Sequence, residues 1–382
     1  MSFKEVYITK TASYLPNEPV SNDEMEEYLG LINEKPSKSR RIVLRNNGIK
    51  RRFYALTKAG KATHTNAEMT ALAIRKLFDN KPEGLQSFQL LSCGTSSPDQ
   101  MMPSHAVMVH GWLPESNAIE VVSPSGVCCA GMHALKYAFM AIRTGDVQTA
   151  VTTGSERMSR KMRAEVFEDE VQKLSQLEEN PYISFEKEFL RWMLSDGASA
   201  FLLSGKKNEE GPSLRIEWLE GVSYANEMEV CMYMASDKQK DGSLKSYMDY
   251  SPEEIMSQSI LSLKQDVKLL SENIVKLGGI KLKALFDEKG LKSSDINYFL
   301  PHMSSEFFRN KIADELELNG IGMSKEKWFT NLDSMGNVGA GSVYLMIDEL
   351  FNSGKLKKGE KMLLLVPESA RFSYMYALLT VC

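Results

Sequence analysis

A chain of 382 residues, 43% hydrophobic and 25% charged, is long enough for one large unit or two fused domains with a sizeable core, so it needs no disulfide staple. Its 46 basic and 50 acidic side chains leave a net charge of -4, which argues against broad nucleic-acid binding, and no run of about 18 uncharged apolar residues marks a membrane insertion. Five cysteines without a C-x-x-C pair or metal spacing, behind an amino terminus with no basic leader and apolar run, read as reduced thiols in the cytoplasm.

Along the chain, β-rich runs alternate with helical stretches, the grammar of a layered α/β protein. The pattern predicts strands at Val6–Thr9, Phe88–Leu91, Ile119–Val122, Thr149–Thr153, Ala200–Leu203, Asn297–Leu300 and Met362–Val366. Several carry almost no polar alternation, as strands covered on both faces do. Between the first two lies a basic run from Lys38 to Arg52, a docking place for an anionic cofactor or acidic carrier protein, or a solvated loop.

After Ile119–Val122 comes Gly126-Val-Cys-Cys-Ala-Gly-Met132, a cysteine pair bracketed by glycines. Met132, Leu135, Phe139 and Ile142 then recur at helical spacing, and Gly145-Asp146 supplies a stop. The stretches Ser159–Tyr182 and Asn226–Tyr250 are less regular and read as lids over an active-site mouth or as surface insertions. A polar, turn-rich connection at residues 205–213 separates two halves, 1–208 and 209–382. Ser251-Pro252-Glu253-Glu254 announces a helix, with Ile255, Leu263, Val267, Leu270, Ile274 and Leu277 on its inward face before Gly278-Gly279. Another helical pattern covers Ser304–Leu316. Finally, Gly336-Asn-Val-Gly-Ala-Gly-Ser342, followed by a helix, a glycine and a strand, echoes the cysteine junction, with Gly339 opposite Cys129.

A thiol at a helix start sits in a positive local field among unpaired backbone N–H groups, conditions that favour the thiolate. Such a nucleophile suits a thioester, because thiol exchange conserves the activation of the acyl group. Cys129 is the preferred member of the pair, since Ala130-Gly131 permit close approach, while Cys128 points away if the junction is still strand-like. Among five histidines, His133 lies four residues after Cys129, but His302 emerges at a strand's carboxyl end, where open α/β sheets place functional groups. Asn337, in the echoed glycine junction, offers an amide to a thioester carbonyl as negative charge develops. Twenty-two methionines give weak support for an apolar acyl tunnel.

Together these residues resemble the thiolase superfamily, in particular its beta-ketoacyl-acyl-carrier-protein synthase III group. Asn47-Gly-Ile-Lys-Arg-Arg52 is similar to the family's T-G-I-x-x-R segment, Cys129-Ala-Gly131 to its nucleophile elbow, and Ser195-Asp-Gly-Ala-Ser-Ala200 to its G-D-G-A-G-A turn. Pro301-His302 stands at the family histidine without the H-Q-A-N wording, and Gly336-Asn337 resembles the G-N-T-S-A-A-S asparagine. The resemblance implies a thiolase-like five-layer α-β-α-β-α fold from two related halves and a homodimer. It also implies acyl-Cys129 formation and decarboxylative Claisen condensation, with His302 and Asn337 supporting the extender. The implied substrates are acyl and malonyl or beta-ketoacyl thioesters of coenzyme A or an acyl-carrier protein, with no tightly bound cofactor and no metal. Arg51 and Arg52 become candidate contacts for phosphopantetheine or the carrier protein.

By the same resemblance, the Cys129 N–H forms one side of an oxyanion hole. The other side normally comes from a glycine-rich loop, where Pro367-Glu-Ser-Ala-Arg-Phe372 stands here. That segment looks more like ketosynthases of dialkylresorcinol or aryl-lipid biosynthesis. The remaining readings are a non-condensing acyltransferase and an inactive carrier-binding scaffold. A degradative thiolase is disfavoured, because Cys382 lacks the setting of a second catalytic cysteine.

Overall fold

The computed structural model describes residues 3–37, 39–166 and 189–382; part of the predicted stretch Ser159–Tyr182 lies outside them. The first half runs β1 (Tyr7–Tyr14), α1 (Asn66–Leu77), β2 (Leu90–Thr95), α2 (His105–Gly111), β3 (Glu120–Val122), α3 (Ala130–Thr144), β4 (Thr149–Glu156) and β5 (Gly197–Ser204). The second runs β6 (Leu214–Ser223), α4 (Val267–Lys289), β7 (Tyr298–Pro301), α5 (Phe307–Leu318), α6 (Ser342–Phe351), β8 (Lys361–Glu368) and β9 (Ser373–Val381).

The strand order β7-β8-β9-β6-β1-β5-β4-β2-β3 contains the same arrangement twice. In the first half β2 pairs in parallel with β3 and β4, while β5 is antiparallel to β4 and β1. In the second, β7 pairs in parallel with β8, and β9 is antiparallel to β8 and β6. An isolated parallel bridge from Phe299 to Trp328 stands where β3 stands in the first half. The halves join through a short antiparallel seam, Tyr7 with Arg215 and Ile8 with Leu214.

Successive strand side chains point to opposite faces, and here both faces are covered. Leu91 packs into a core with Ile74 of α1 and Val109 of α2, whereas its neighbour Leu90 joins Leu135 of α3 and Ile347 of α6. Leu364 belongs to that same central core, while Leu363 faces Ile274 of α4 and Ile312 of α5. The layers are therefore α1/α2, sheet, α3/α6, sheet and α4/α5, the five-layer order that the family resemblance implies.

The central helices pack at closest range through small residues. A Cβ on Gly131 would lie 2.4 Å from the Ala340 carbonyl oxygen, and one on Gly154 would lie 2.3 Å from the same atom. The two glycine junctions thus meet face to face. Helix α3 buries Met132, Leu135, Phe139 and Ile142 and ends at Gly145 with φ 88°, as its pattern predicts.

Two strands are not signalled by the sequence pattern. β6 alternates buried apolar with charged residues only over residues 214–217 and ends in the partly exposed residues 220–223, and β9 follows the Pro367–Phe372 segment without a strong turn signal. The long helix expected from Ser251 is also corrected. Its capping box is present, but that helix covers only Pro252–Ser257, and α4 starts anew where Asp266 accepts from the Leu269 N–H. Between them, Lys264–Gln265 pairs with Met232–Tyr233. α4 then continues through Gly278-Gly279 to Lys289, because those positions accommodate Tyr374 and Glu315: added Cβ atoms would lie 2.9 and 2.5 Å from them.

Candidate active site

The carboxyl ends of β4, β7 and β8 and the starts of α3 and the Gly339–Gly341 turn converge on one cavity of about 290 Å3. Its polar end is lined by Ser96, Cys128, Glu156, His302, Asn337 and Ser369. From there it runs between α4 and α5 past Leu270, Ile274, Phe308 and Ile312 to Gly279 and Glu315. The stretch of α4 from Leu270 to Gly279 amounts to about 13 Å of helix axis. An apolar trough with a few convergent polar groups at one end suits an acyl chain carried on a polar reacting group.

His302 reaches this place because the last residues of β7 are held by β8: its N–H donates to the Leu365 carbonyl at 2.8 Å. The imidazole is buried, Nε2 has no hydrogen-bond partner among the described residues, and burial lowers its pKa to about 4. A neutral, unpartnered ring nitrogen beside a cavity is available to a substrate oxygen or proton. Asn337 arrives from the opposite junction, fixed by backbone bonds to Met193 and Ser195. Its Oδ1 accepts from the Gly339 N–H at 2.9 Å, which leaves Nδ2 as the donor toward the cavity.

The cysteine pair is arranged differently from the expectation. Cys128, expected to point away, lines the cavity, whereas Cys129 is fully buried with Sγ 3.3 Å from the Val366 carbonyl. The expected thiolate is corrected as well. Burial first, then the nearby Glu368 carboxylate, pushes both thiols above their ordinary pKa; Glu156 adds to the effect on Cys128, and Cys128 to that on Cys129. The exposed part of Cys128 faces the cavity rather than bulk water, so dense surroundings still hold it neutral.

Two carboxylates that the sequence pattern does not single out complete the polar end. Glu156, at the end of β4, accepts from the Ser96 N–H at 3.0 Å, the Ser96 hydroxyl at 2.8 Å and the Ala340 N–H at 3.3 Å; burial raises its pKa. Glu368, at the end of β8, accepts from the Val127 N–H at 2.7 Å and the Cys129 N–H at 3.0 Å through one oxygen, Oε2. Their position at strand carboxyl ends in Gly154-Ser-Glu156 and Pro367-Glu368 was the available signal.

The other candidates are dispersed. His133 is exposed on α3. Arg52 is buried, with its guanidinium donating to the Asn22 side chain and to the Trp192 carbonyl at 3.3 Å, while Arg51 is exposed. Asp196 of the Ser195–Ala200 turn is structural: it accepts from the N–H groups of Ala55, Met158 and Ser159 at 2.7, 2.6 and 2.9 Å and so ties three segments around the site. Among the described residues, no cluster of histidine, cysteine and carboxylate side chains could hold a metal, and no helix is long and apolar enough to cross a membrane.

Comparison with known proteins agrees with this architecture. Residues 286–369 match the family described as 3-Oxoacyl-[acyl-carrier-protein (ACP)] synthase III C terminal. The Beta-ketoacyl-[acyl-carrier-protein] synthase III of Clostridium acetobutylicum is 24% identical, covering 94% of this chain and 93% of its own, and that of Clostridium perfringens strain SM101 is 23% identical, covering 92% of each. Among solved structures, a single-residue variant of Xanthomonas campestris OleA superposes with a TM-score of 0.74 at 19% identity, covering 100% of this chain and 99% of its own. The tetronic acid condensing enzyme AbyA1 gives 0.73 at 18%, covering 98% and 99%. Pseudomonas aeruginosa FabH gives 0.71 at 18%, covering 98% of each chain. The likeness runs the length of the chain: its sequence is similar to beta-ketoacyl-acyl-carrier-protein synthase III enzymes, and its doubled five-layer α/β fold, with a cysteine elbow at its centre, is the thiolase-like fold of these solved structures.

Proposed function

We propose that the protein is a ketosynthase that joins an acyl thioester to a malonyl- or beta-ketoacyl-type thioester by decarboxylative Claisen condensation. The observation that supports this reading is that His302, Asn337 and Cys128 of the cysteine elbow line one cavity, with no partner for His302 Nε2 among the described residues. In this reading residues 1–208 carry the nucleophile and residues 209–382 carry His302 and Asn337.

Cys129 is the acyl acceptor. Its sulfur forms a bond to the acyl carbon, the carrier's C–S bond breaks, and the carrier leaves as a thiol with the proton that Cys129 gave up. A malonyl extender then loses CO2, whereas a beta-ketoacyl extender, which has no carboxylate to lose, gives the acidic proton between its two carbonyls to His302 Nε2. In either case the electron pair left behind is held as an enolate whose oxygen faces His302 and Asn337. The enolate carbon attacks acyl-Cys129, a carbon–carbon bond forms, and the cysteine sulfur is released to regain its proton. No metal is called on, and the only cofactor is the phosphopantetheine arm of coenzyme A or an acyl-carrier protein, with exposed Arg51 a candidate contact for it.

The apolar trough between α4 and α5 supports a lipid-like acyl chain, and the Pro367–Phe372 segment supports a place in dialkylresorcinol or aryl-lipid synthesis. A homodimer is part of the reading; its support is the short, open edge strand β3 and the exposed Met101 and Met102 nearby in the same half. The test is product mass spectrometry after mixing an acyl thioester with a malonyl thioester. A product longer by the extender carbons supports the proposal, and acyl transfer alone points to a non-condensing acyltransferase.

A further inference from the structure

Both polar ends of Cys129 are held by the end of one strand. Val366 of β8 takes the thiol through its carbonyl, and two residues later Glu368 takes the backbone N–H through its carboxylate. The same Oε2 also takes the Val127 N–H, so one negatively charged oxygen sits on two donors of the elbow, in a pocket where Glu368 is only 9% exposed.

A thioester attacked by Cys129 places its developing oxyanion on backbone donors at this elbow. A carboxylate oxygen is an anionic acceptor of the same kind, and it already occupies the place. We propose that Glu368 is a positioning residue that caps the resting nucleophile: its carboxylate fills the donor pair of Val127 and Cys129, and the thioester oxygen of the incoming acyl substrate displaces it. The proposal rests on the reading of Cys129 as the acyl acceptor.

Two consequences follow from the geometry. Burial already disfavours the thiolate of Cys129, and while Glu368 is seated its charge beside the elbow disfavours it further, so the resting thiol is protected from adventitious electrophiles. When a substrate oxygen takes the donors, the charge leaves with the carboxylate, and its share of the penalty on the thiolate is relieved as the substrate arrives. The titratable groups coupled to the thiol pair are Glu368, Glu156, Tyr374 and Tyr376, with His133 coupled to Glu368. Glu156 is bound to Ser96 and Ala340 rather than to the elbow donors.

The experiment is alkylation of the full chain by iodoacetamide, read at Cys129 by peptide mass spectrometry across pH, for the wild type, Glu368→Gln and Glu368→Ala. Because a single oxygen accepts both bonds, Glu368→Gln can keep the cap while removing its charge, and Glu368→Ala removes both. The expected result is labelling of Cys129 about tenfold faster in Glu368→Gln at fixed pH, with the alkylation profile moved to lower pH, and faster still in Glu368→Ala. Unchanged or slower labelling in a folded Glu368→Gln would overturn the proposal and leave Glu368 a structural brace; that near-isosteric variant decides the matter if Glu368→Ala fails to fold. Alkylation needs no acyl substrate, so its outcome is separate from whether the enzyme condenses thioesters.

Discussion

Gly131 and Ala340 hold the two halves of the molecule in contact: a Cβ on the glycine would stand 2.4 Å from the alanine carbonyl oxygen, and Tyr344 donates from its hydroxyl to the Gly131 carbonyl at 2.9 Å. That contact sets the spacing between the cysteine elbow and the junction bearing Asn337. Gly131→Ala is expected to destabilise the fold by about 1–3 kcal/mol, the usual cost of overpacking a core, because the opposing atom is backbone. Chemical denaturation of the two proteins checks this, and a loss under about 0.5 kcal/mol, the range of surface substitutions, would show that the halves can part without cost.

The two cysteines separate by chemistry. Incubation with an acyl thioester should label Cys129, Cys129→Ala should lose the adduct, and Cys128→Ala should keep it. Intact-protein and peptide mass spectrometry give the answer. An adduct of equal abundance in Cys129→Ala, located on Cys128, would transfer the nucleophile to the thiol that lines the cavity.

The buried imidazole of His302 makes a signed contribution to stability. Its pKa falls from 6.5 to about 4 in the folded protein, so near pH 7 both states are neutral and the group contributes nothing. As pH falls below 6.5 the unfolded chain takes up a proton that the native site resists, and stability declines until about pH 4, by roughly 3 kcal/mol in all. His105, lowered by burial to about 4 as well, adds a slope of the same sign. Urea melts between pH 7 and pH 4 should show the decline, and His302→Gln should flatten part of it. An unchanged slope in that variant would place the histidine in water rather than in the core.

The trough between α4 and α5 determines acyl length if the acyl chain lies there. Ile274→Trp fills its middle, and the expected effect is a shift toward shorter acyl thioesters with little change for acetyl transfer. Competition among acyl thioesters of graded length measures it. A preference identical to that of the wild type would place the chain elsewhere.

Much of this site is legible in the residues alone. The elbow, the strand-end histidine and the asparagine junction announce themselves locally, through glycines, a helix pattern and an apolar strand, and His302 and Asn337 do line one cavity with Cys128. What is not legible depends on contacts far apart in the chain. Nothing near Cys129 foretells that Val366 and Glu368 take its thiol and amide, and burial, then the Glu368 charge, turns an expected thiolate into a neutral thiol. Arg52 reads as a surface cation within a basic run, yet its bonds to Asn22 and Trp192 draw it inside. The helix signal at Ser251 is sound, but the pairing of Lys264–Gln265 with Met232–Tyr233 interrupts what periodicity alone would continue.

The central claim is carbon–carbon bond formation on an acyl-cysteine, and one measurement addresses it directly. An acyl thioester carrying a 13C-labelled carbonyl is mixed with a malonyl thioester and the enzyme, and the products are followed by mass spectrometry and 13C nuclear magnetic resonance, with Asn337→Ala as the control. The account predicts a labelled ketone carbon bonded to an extender carbon, release of CO2, and loss of this product in Asn337→Ala while Cys129 still acquires the acyl group. Transfer of the labelled acyl group to oxygen, nitrogen or water alone, with no new carbon–carbon bond, would contradict it.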